Sequence, residues 1–344
     1  MPSIPAQAVA LVTGGASGIG LALCDALADR GVTVISADLN PTPTTPGRES
    51  LLLDVTDPDA VTHTTHYVFE RYQRLDLVFN NAGIVTCGAT EELTLQHWQR
   101  AMDTNFYGVL HGIRACYPLM IEQGHGQIIN TASLAGRVAF GGLNPYTASK
   151  HAVVGLSLGL RAEAALHNIH VNVICPSLTD TPILDRLNPG LPPTRLAAAV
   201  KPLMHSLHPR PYPPDRLAHH ILTRLTRNKA VIIAPARARA VDRLARYAPH
   251  LTDRLNHLLT KRALIQPTPP PPPTDHHDAT PAPELRATPG DTHDTTAPTA
   301  QAASPCPQSR PSVMTVPAPG ERIPPRHPVT DMAPETIRGQ PNSA

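Results

Sequence analysis

Ala8-Val9-Ala10-Leu11-Val12-Thr13-Gly14-Gly15-Ala16-Ser17-Gly18-Ile19-Gly20 decides the fold. A short apolar run stops at a turn of small residues, and Leu21 to Ala28 then follows with helical spacing. Runs of this length with apolar residues throughout suit a strand buried on both faces. Glycines between a strand and a helix let the backbone approach a pyrophosphate, whose charge the helix N-terminus favours. The next apolar run, Val32 to Ala37, ends at Asp38, eighteen residues after Gly20. A carboxylate there is placed to accept hydrogen bonds from ribose hydroxyls and to repel a 2′-phosphate.

Outward from this unit the alternation continues. Leu51 to Asp54, Leu75 to Phe79, Gly126 to Ser133, His170 to Cys175 and Ala230 to Ala234 read as further strands. Asp57-Pro58 starts a helix towards Tyr72, a long and interrupted helix covers Leu95 to Glu122, and Pro145 to Leu166 and Asp215 to Thr226 are helical. A short helix is expected near Leu196–Met204. Between Asp38 and Leu51 a helix would be normal, but Pro41, Pro43 and Pro46 leave no room for one. Strands alternating with helices predict an α/β fold, a Rossmann-like doubly wound parallel sheet of about seven strands.

Residues 1–265 suit one such domain. From 266 to 344 the chain is rich in Pro, Thr, Ala, His and Asp and holds half of the 40 prolines. Its apolar residues lack any period, so a disordered tail is expected. The net charge of +2 argues against a nucleic-acid partner. The five cysteines show no CxxC pairing and fit a reducing cytoplasm. No signal peptide or membrane-spanning run is read. His63/His66 and His205/His208 are spaced to share a metal on a helix, but no third ligand is visible, and no metal site is expected. Cys175 reads as core, and Cys87 has no neighbour that would activate it.

The chemistry is carried by Tyr146-Thr147-Ala148-Ser149-Lys150 together with Ser133 and Asn105. Tyr146 and Lys150 share one helix face. A phenol ordinarily titrates near ~10, and an adjacent ammonium favours its ionised form. Tyr146 would then take the hydroxyl proton of an alcohol while a hydride leaves the carbinol carbon. Ser133 would donate to the substrate oxygen.

These motifs together resemble the short-chain dehydrogenase/reductases in their compact single-domain form, over about residues 6–260. Gly14, Gly18 and Gly20 match that family's glycine motif, with Ser17 and Ile19 inside it. Asn80-Asn81-Ala82-Gly83 matches the motif beside the nicotinamide-side ribose. Asp54 and Val55 match an Asp-Val pair that contacts adenine. Ser133, Tyr146, Lys150 and Asn105 match the catalytic residues, which implies that Lys150 also binds the nicotinamide ribose and that Asn105 holds a relay water. Pro176 matches the proline after the sixth strand, and Thr181 the threonine that grips the carboxamide. One departure is Ser177, which stands where the family has glycine and is expected to narrow the nicotinamide pocket. The resemblance implies a homodimer or homotetramer.

NAD is favoured over NADP, because Asp38 is acidic and Ala16, Ser17 and Leu39 offer no positive charge to a 2′-phosphate. The apolar, proline-rich stretch from Leu178 to Pro214 points to a small lipophilic alcohol or ketone as substrate. A non-catalytic NAD-sensing or scaffold protein, and epimerisation or dehydration on the same fold, are the rival readings. Residues 236–263 are basic, with leucines at roughly helical spacing. Packing on the domain or a sister subunit is favoured for them over contact with an anionic membrane surface, since the segment lacks Trp and Phe.

Overall fold

The computed structural model describes residues 4–265 apart from 6, 198–199 and 201–209. The tail 266–344, with the disorder expected of it, lies outside the described residues.

Seven strands form one sheet: β1 (Val9–Thr13), β2 (Thr33–Asp38), β3 (Arg48–Leu52), β4 (Leu77–Asn80), β5 (Gly126–Thr131), β6 (Ile169–Pro176) and β7 (Val231–Ala234). Their order is β3-β2-β1-β4-β5-β6-β7, and every pairing is parallel. The chain leaves β1 in one direction to β2 and resumes on its other side at β4. The crevice at the carboxyl ends of β1 and β4 is therefore the topological switch point, where ligands bind in open α/β sheets.

Side-chain alternation along the strands feeds two cores. On one face Val9, Leu11 and Ile128 meet the helices α2 (Pro58–Tyr72), α4 (Gly108–Gln123) and α5 (Asn144–Ala164), through residues such as Val68, Ile113 and Val153. On the other, Ala10, Val12 and Ile129 meet α1 (Gly18–Ala28) and α6 (Pro214–Leu225), whose Leu23, Leu27, Leu217 and Ile221 are fully buried. Each such leucine contributes about 1.5–3 kcal/mol by leaving water. The helix before α4, α3 (Leu95–Met102), passes into it through a widened turn at Asp103–Tyr107, where Gly108 N–H donates to the Asp103 carbonyl. This is the interruption expected in the 95–122 helix, and such widened turns often mark functional positions.

Asp57 caps α2 as expected, its side chain accepting from the Asp59 and Ala60 amides at 2.9 and 3.0 Å. No helix joins β2 to β3, in keeping with the three prolines. β3 itself corrects the reading of Leu51–Asp54, since it runs Arg48–Leu52. Its first residues are polar and were invisible to an apolar-run criterion, yet the two charged ones are held from outside the strand. Arg48 pairs with Asp25 at 2.8 Å, and Glu49 accepts from the Tyr67 and Tyr72 hydroxyls, each at 2.8 Å. Residues 195–197 and 200 are helical, and the rest of the expected 196–204 helix lies outside the described residues. Beyond β7 the chain forms α7 (Ala236–Tyr247) and α8 (Pro249–Ile265).

Candidate active site

Every residue singled out for cofactor or proton chemistry lies at or just beyond the carboxyl end of a strand, or on a helix facing it. The turn after β1 places Gly14 (φ +66°) and Gly18 (φ +55°) in the left-handed region that favours glycine. A Cβ on Gly14 would lie 2.8 Å from the Cα of Ala82, so the first strand-end loop is packed directly on the fourth. Ser17 is exposed and Gly20 is buried at the start of α1, where Ile19 packs towards the core.

A residue that was quoted in the turn but assigned no role proves central. Thr13 Oγ1 accepts from the amides of Asn81 (3.0 Å) and Ala82 (3.2 Å). Asn81 returns the contact, with Nδ2 donating to the Thr13 carbonyl at 3.1 Å, and its Oδ1 accepts from Thr131 Oγ1 at 3.2 Å. β1, β4 and β5 are thereby tied at their carboxyl ends by side chains. The signal in the sequence was a threonine closing a buried strand one residue before the first glycine.

Asp38 ends β2, and its two oxygens accept from Ala16 N at 3.1 Å and Asn40 N at 3.0 Å. The carboxylate is thus oriented over the glycine turn. Asp54 lies after β3, where it accepts from the amide and hydroxyl of Thr56 at 2.9 and 2.8 Å. Val55 is buried, and its carbonyl faces His111 Nδ1 at 2.9 Å.

Lys150, Asn105 and Gly83 converge. A Cβ on Gly83 would stand 3.0 Å from Asn105 Oδ1 and 3.3 Å from Lys150 Nζ. Asn105 sits in the widened turn and is fully buried. It accepts from Ile84 N at 2.8 Å and donates to the Ile84 carbonyl at 3.1 Å and to Ser149 Oγ at 3.0 Å. Ser149 in turn donates to the Tyr146 carbonyl at 2.8 Å. Ser149 and Ile84 were not foreseen, since nothing in their spacing marks them as neighbours of Asn105. Lys150 Nζ donates to the Thr131 carbonyl at 2.9 Å and lies 5.9 Å from the centre of the Tyr146 ring. Tyr146 lies beside Ser133, whose hydroxyl favours the charged form of the phenol. Ser133 Oγ also accepts from Ala135 N at 3.1 Å, which fixes its rotamer at the end of β5.

The electrostatics correct one expectation. Burial pushes the Tyr146 phenol above its ordinary value, opposed by the Ser133 hydroxyl, and Lys150 does not bring it down. The ammonium gives one of its three N–H groups to the Thr131 carbonyl, and burial lowers its own pKa from 10.5 to about 8. Without a bound dinucleotide the phenol is therefore held protonated.

Pro176 is buried at the end of β6, and Ser177 N donates to the Ala234 carbonyl at 2.8 Å. The backbone at Ser177 has no positive φ, so the position tolerates a side chain. Thr181 lies over the glycine turn, its Cβ and Cγ2 each 3.1 Å from where a Gly18 Cβ would sit. The loop after β6 is clamped to the one after β4. Asn188 exchanges bonds with the Cys87 backbone at 2.8 and 2.9 Å, and Thr194 Oγ1 donates to the Cys87 carbonyl at 2.7 Å. Cys87 and Cys175 are buried, and burial pushes both thiols up to about 12. Among the described residues no cluster of three metal-ligating side chains occurs, and His205/His208 lie outside them.

The sequence model of the short chain dehydrogenases matches residues 8–191, which is more than half of the chain. The chain belongs to the short-chain dehydrogenase family. Short-chain dehydrogenases similar to it include a 3-oxoacyl-acyl-carrier-protein reductase of Thermotoga maritima, 33% identical over 189 residues (52% of this chain and 77% of the relative). Another is a 3-alpha-(or 20-beta)-hydroxysteroid dehydrogenase of Mycobacterium tuberculosis, 35% identical over 202 residues (57% of this chain and 78% of the relative). Among solved structures, a short chain dehydrogenase/reductase from Burkholderia phymatum in complex with NAD superposes with a TM-score of 0.65 at 26% identity. The match covers 71% of this chain and 95% of that one. This short-chain dehydrogenase is thus an oxidoreductase by family. Among its described residues no helix is long and apolar enough to cross a membrane.

Proposed function

We propose that the protein is an NAD-preferring, cytoplasmic short-chain enzyme that interconverts a small lipophilic secondary alcohol and its ketone. The observation that carries this reading is the set at the switch point: Lys150 Nζ and Asn105 Oδ1 meet at Gly83, with Tyr146 one turn before Lys150 on the same helix.

The residues present fit a dinucleotide. Gly14 and Gly18 let the backbone turn in the left-handed region at the N-terminus of α1, and Asp38 is oriented over that turn by two backbone amides. Asp38 supports NAD over NADP through its charge. When bound, the dinucleotide supplies or accepts the hydride at its nicotinamide. The chain's own residues do the rest. Thr181 and Pro176 would border the nicotinamide, and Gly83 offers a floor without a side chain. Ser133 hydrogen-bonds the substrate oxygen. Tyr146 donates its phenolic proton to that oxygen during reduction and recovers it during oxidation. The protonated phenol of the ligand-free site is the form from which a ketone is reduced. Lys150, with a pKa near 8, can pass a proton at physiological pH, and Asn105 fixes the loop beside it.

A screen of lipophilic secondary alcohols with NAD, and of the matching ketones with NADH, read at the nicotinamide absorbance, tests the reading. Turnover with a subset of these, and slower turnover with the phosphorylated cofactor, is expected. NADH binding without turnover on any of them would favour a sensing or scaffold role.

A further inference from the structure

The two C-terminal helices present the wrong face to the domain for an ordinary amphipathic helix. α8 (Pro249–Ile265) turns Thr252, Asn256 and Thr260, spaced four apart, inward. Asn256 Oδ1 accepts from Gly141 N at 3.1 Å, and Thr260 Oγ1 lies 3.5 Å from Asn256 Oδ1. The leucines lie on the other side. Leu251 is 47% exposed, Leu255 43% and Leu258 55%, with Leu259 beside them. α7 (Ala236–Tyr247) does the same. Ala238 is buried and Asp242 pairs with Arg137 at 2.8 Å, while Val241, Leu244 and Tyr247 are exposed. The helices thus rest on the domain, as favoured for 236–263, but mainly through small and polar side chains, and the leucines are left partly exposed.

The charge around this apolar stripe is one-sided. Residues 236–265 carry seven basic side chains (Arg237, Arg239, Arg243, Arg246, Arg254, Lys261 and Arg262) against two acidic ones, Asp242 and Asp253. Asp242 is already spent on Arg137, so the surplus faces outward. A second copy docked on this face through a two-fold axis would set arginines against arginines, which is repulsive. An anionic lipid surface accepts both features: leucines enter the acyl boundary and arginines meet the headgroups. The positive surface also continues onto α6. A cleft of about 460 Å³ there is bordered by Arg216, Arg224 and Arg227 against one acidic side chain, Asp215.

We propose that α7 and α8 form a peripheral docking face for anionic membranes, with Leu251, Leu255 and Leu258 inserted at the interface and the arginines on the headgroups. Tyr247, 79% exposed, supplies the aromatic contact that a search for Trp and Phe overlooks. The inference is independent of the reaction catalysed.

The test is sedimentation of the full chain with vesicles of phosphatidylcholine alone and of phosphatidylcholine mixed with phosphatidylglycerol. At least ~10-fold stronger binding to the anionic vesicles, weakened by salt, is expected. Leu255→Asn/Leu258→Asn should lose at least ~10-fold of that binding, and Arg243→Gln/Arg254→Gln should remove most of the anionic preference. All four side chains are exposed, so unchanged circular dichroism and melting should accompany the loss. Equal or absent binding to both vesicles overturns the proposal, as does full binding by the leucine variant. Absent vesicle binding, with an oligomer that the leucine variant dissociates, would instead assign the stripe to contacts between copies.

Discussion

The two ends of the candidate cofactor groove are built differently. At the adenine end, Asp38 is held by one amide of the glycine turn and one of its own loop, Asp54 by an amide and a hydroxyl two residues on, and no helix separates β2 from β3. At the nicotinamide end, Asn105, Ser149 and Lys150 are buried and bonded to three different elements of the fold. Groups that ligands displace can rest on local backbone. Groups that move a proton must be fixed in place before the substrate arrives, because a catalytic contact loses effect with small displacements. A change at the buried end should therefore move stability as well as activity, and one at the open end should alter only cofactor choice.

The largest effect is expected from Lys150→Met, which should lower kcat by at least ~10²-fold. The same variant sharpens the contrast through pH. The folded-state pKa of Lys150 is depressed from 10.5 to about 8, so the folded chain binds fewer protons than the unfolded one between those values. The cost of the buried charge, at most about 3 kcal/mol, is present in full below about pH 8. It fades as pH rises towards 10.5. Melting of the wild type relative to Lys150→Met should accordingly improve through that window, and a flat difference would contradict the burial of the charge.

Asn105→Ala comes next. It leaves the Ile84 N–H and carbonyl without their partner, at about 1–3 kcal/mol for each buried orphan. Denaturant unfolding should show a loss of about 2–4 kcal/mol. A loss under about 1 kcal/mol would mean that water replaces the side chain and the nicotinamide end is less rigid than drawn. Asp38→Ala should leave the melting profile nearly unchanged while weakening NAD affinity about 10-fold and admitting NADP. An enzyme that already prefers NADP would break the assignment of the open end. Ser177→Gly is expected to do least, changing KM by less than about 3-fold, since the backbone there needs no glycine.

What was legible in the sequence follows the same division. The glycine turn, the strand ending at Asp38 and the Tyr146–Lys150 pair depend on spacings of a few residues and on periods a helix or strand fixes. Their placement at one strand-end crevice emerges from the order of strands and helices. The seven-strand parallel sheet was readable for that reason. Contacts between distant segments were not. Thr13 to Asn81, Asn105 to Ser149, and Asn188 to Cys87 each join elements whose relative register only the folded sheet supplies. The polar opening of β3 was missed because its stabilising partners, Asp25, Tyr67 and Tyr72, lie in other elements. The C-terminal helices carry a visible stripe of leucines, but periodicity does not say whether a stripe faces the core or the outside. The influence of Lys150 on the phenol was misjudged for a related reason: sharing a helix face put the two residues together but did not say where the amine would point.

The central claim is that Tyr146 carries the proton while the rest of the groove binds the dinucleotide. Tyr146→Phe separates the two, because it removes the hydroxyl and keeps the ring. NADH titrated into this variant, followed by nicotinamide fluorescence, should bind as in the wild type, while ketone reduction falls by at least ~10³-fold. Reduction at the wild-type rate, with binding intact, would contradict the account.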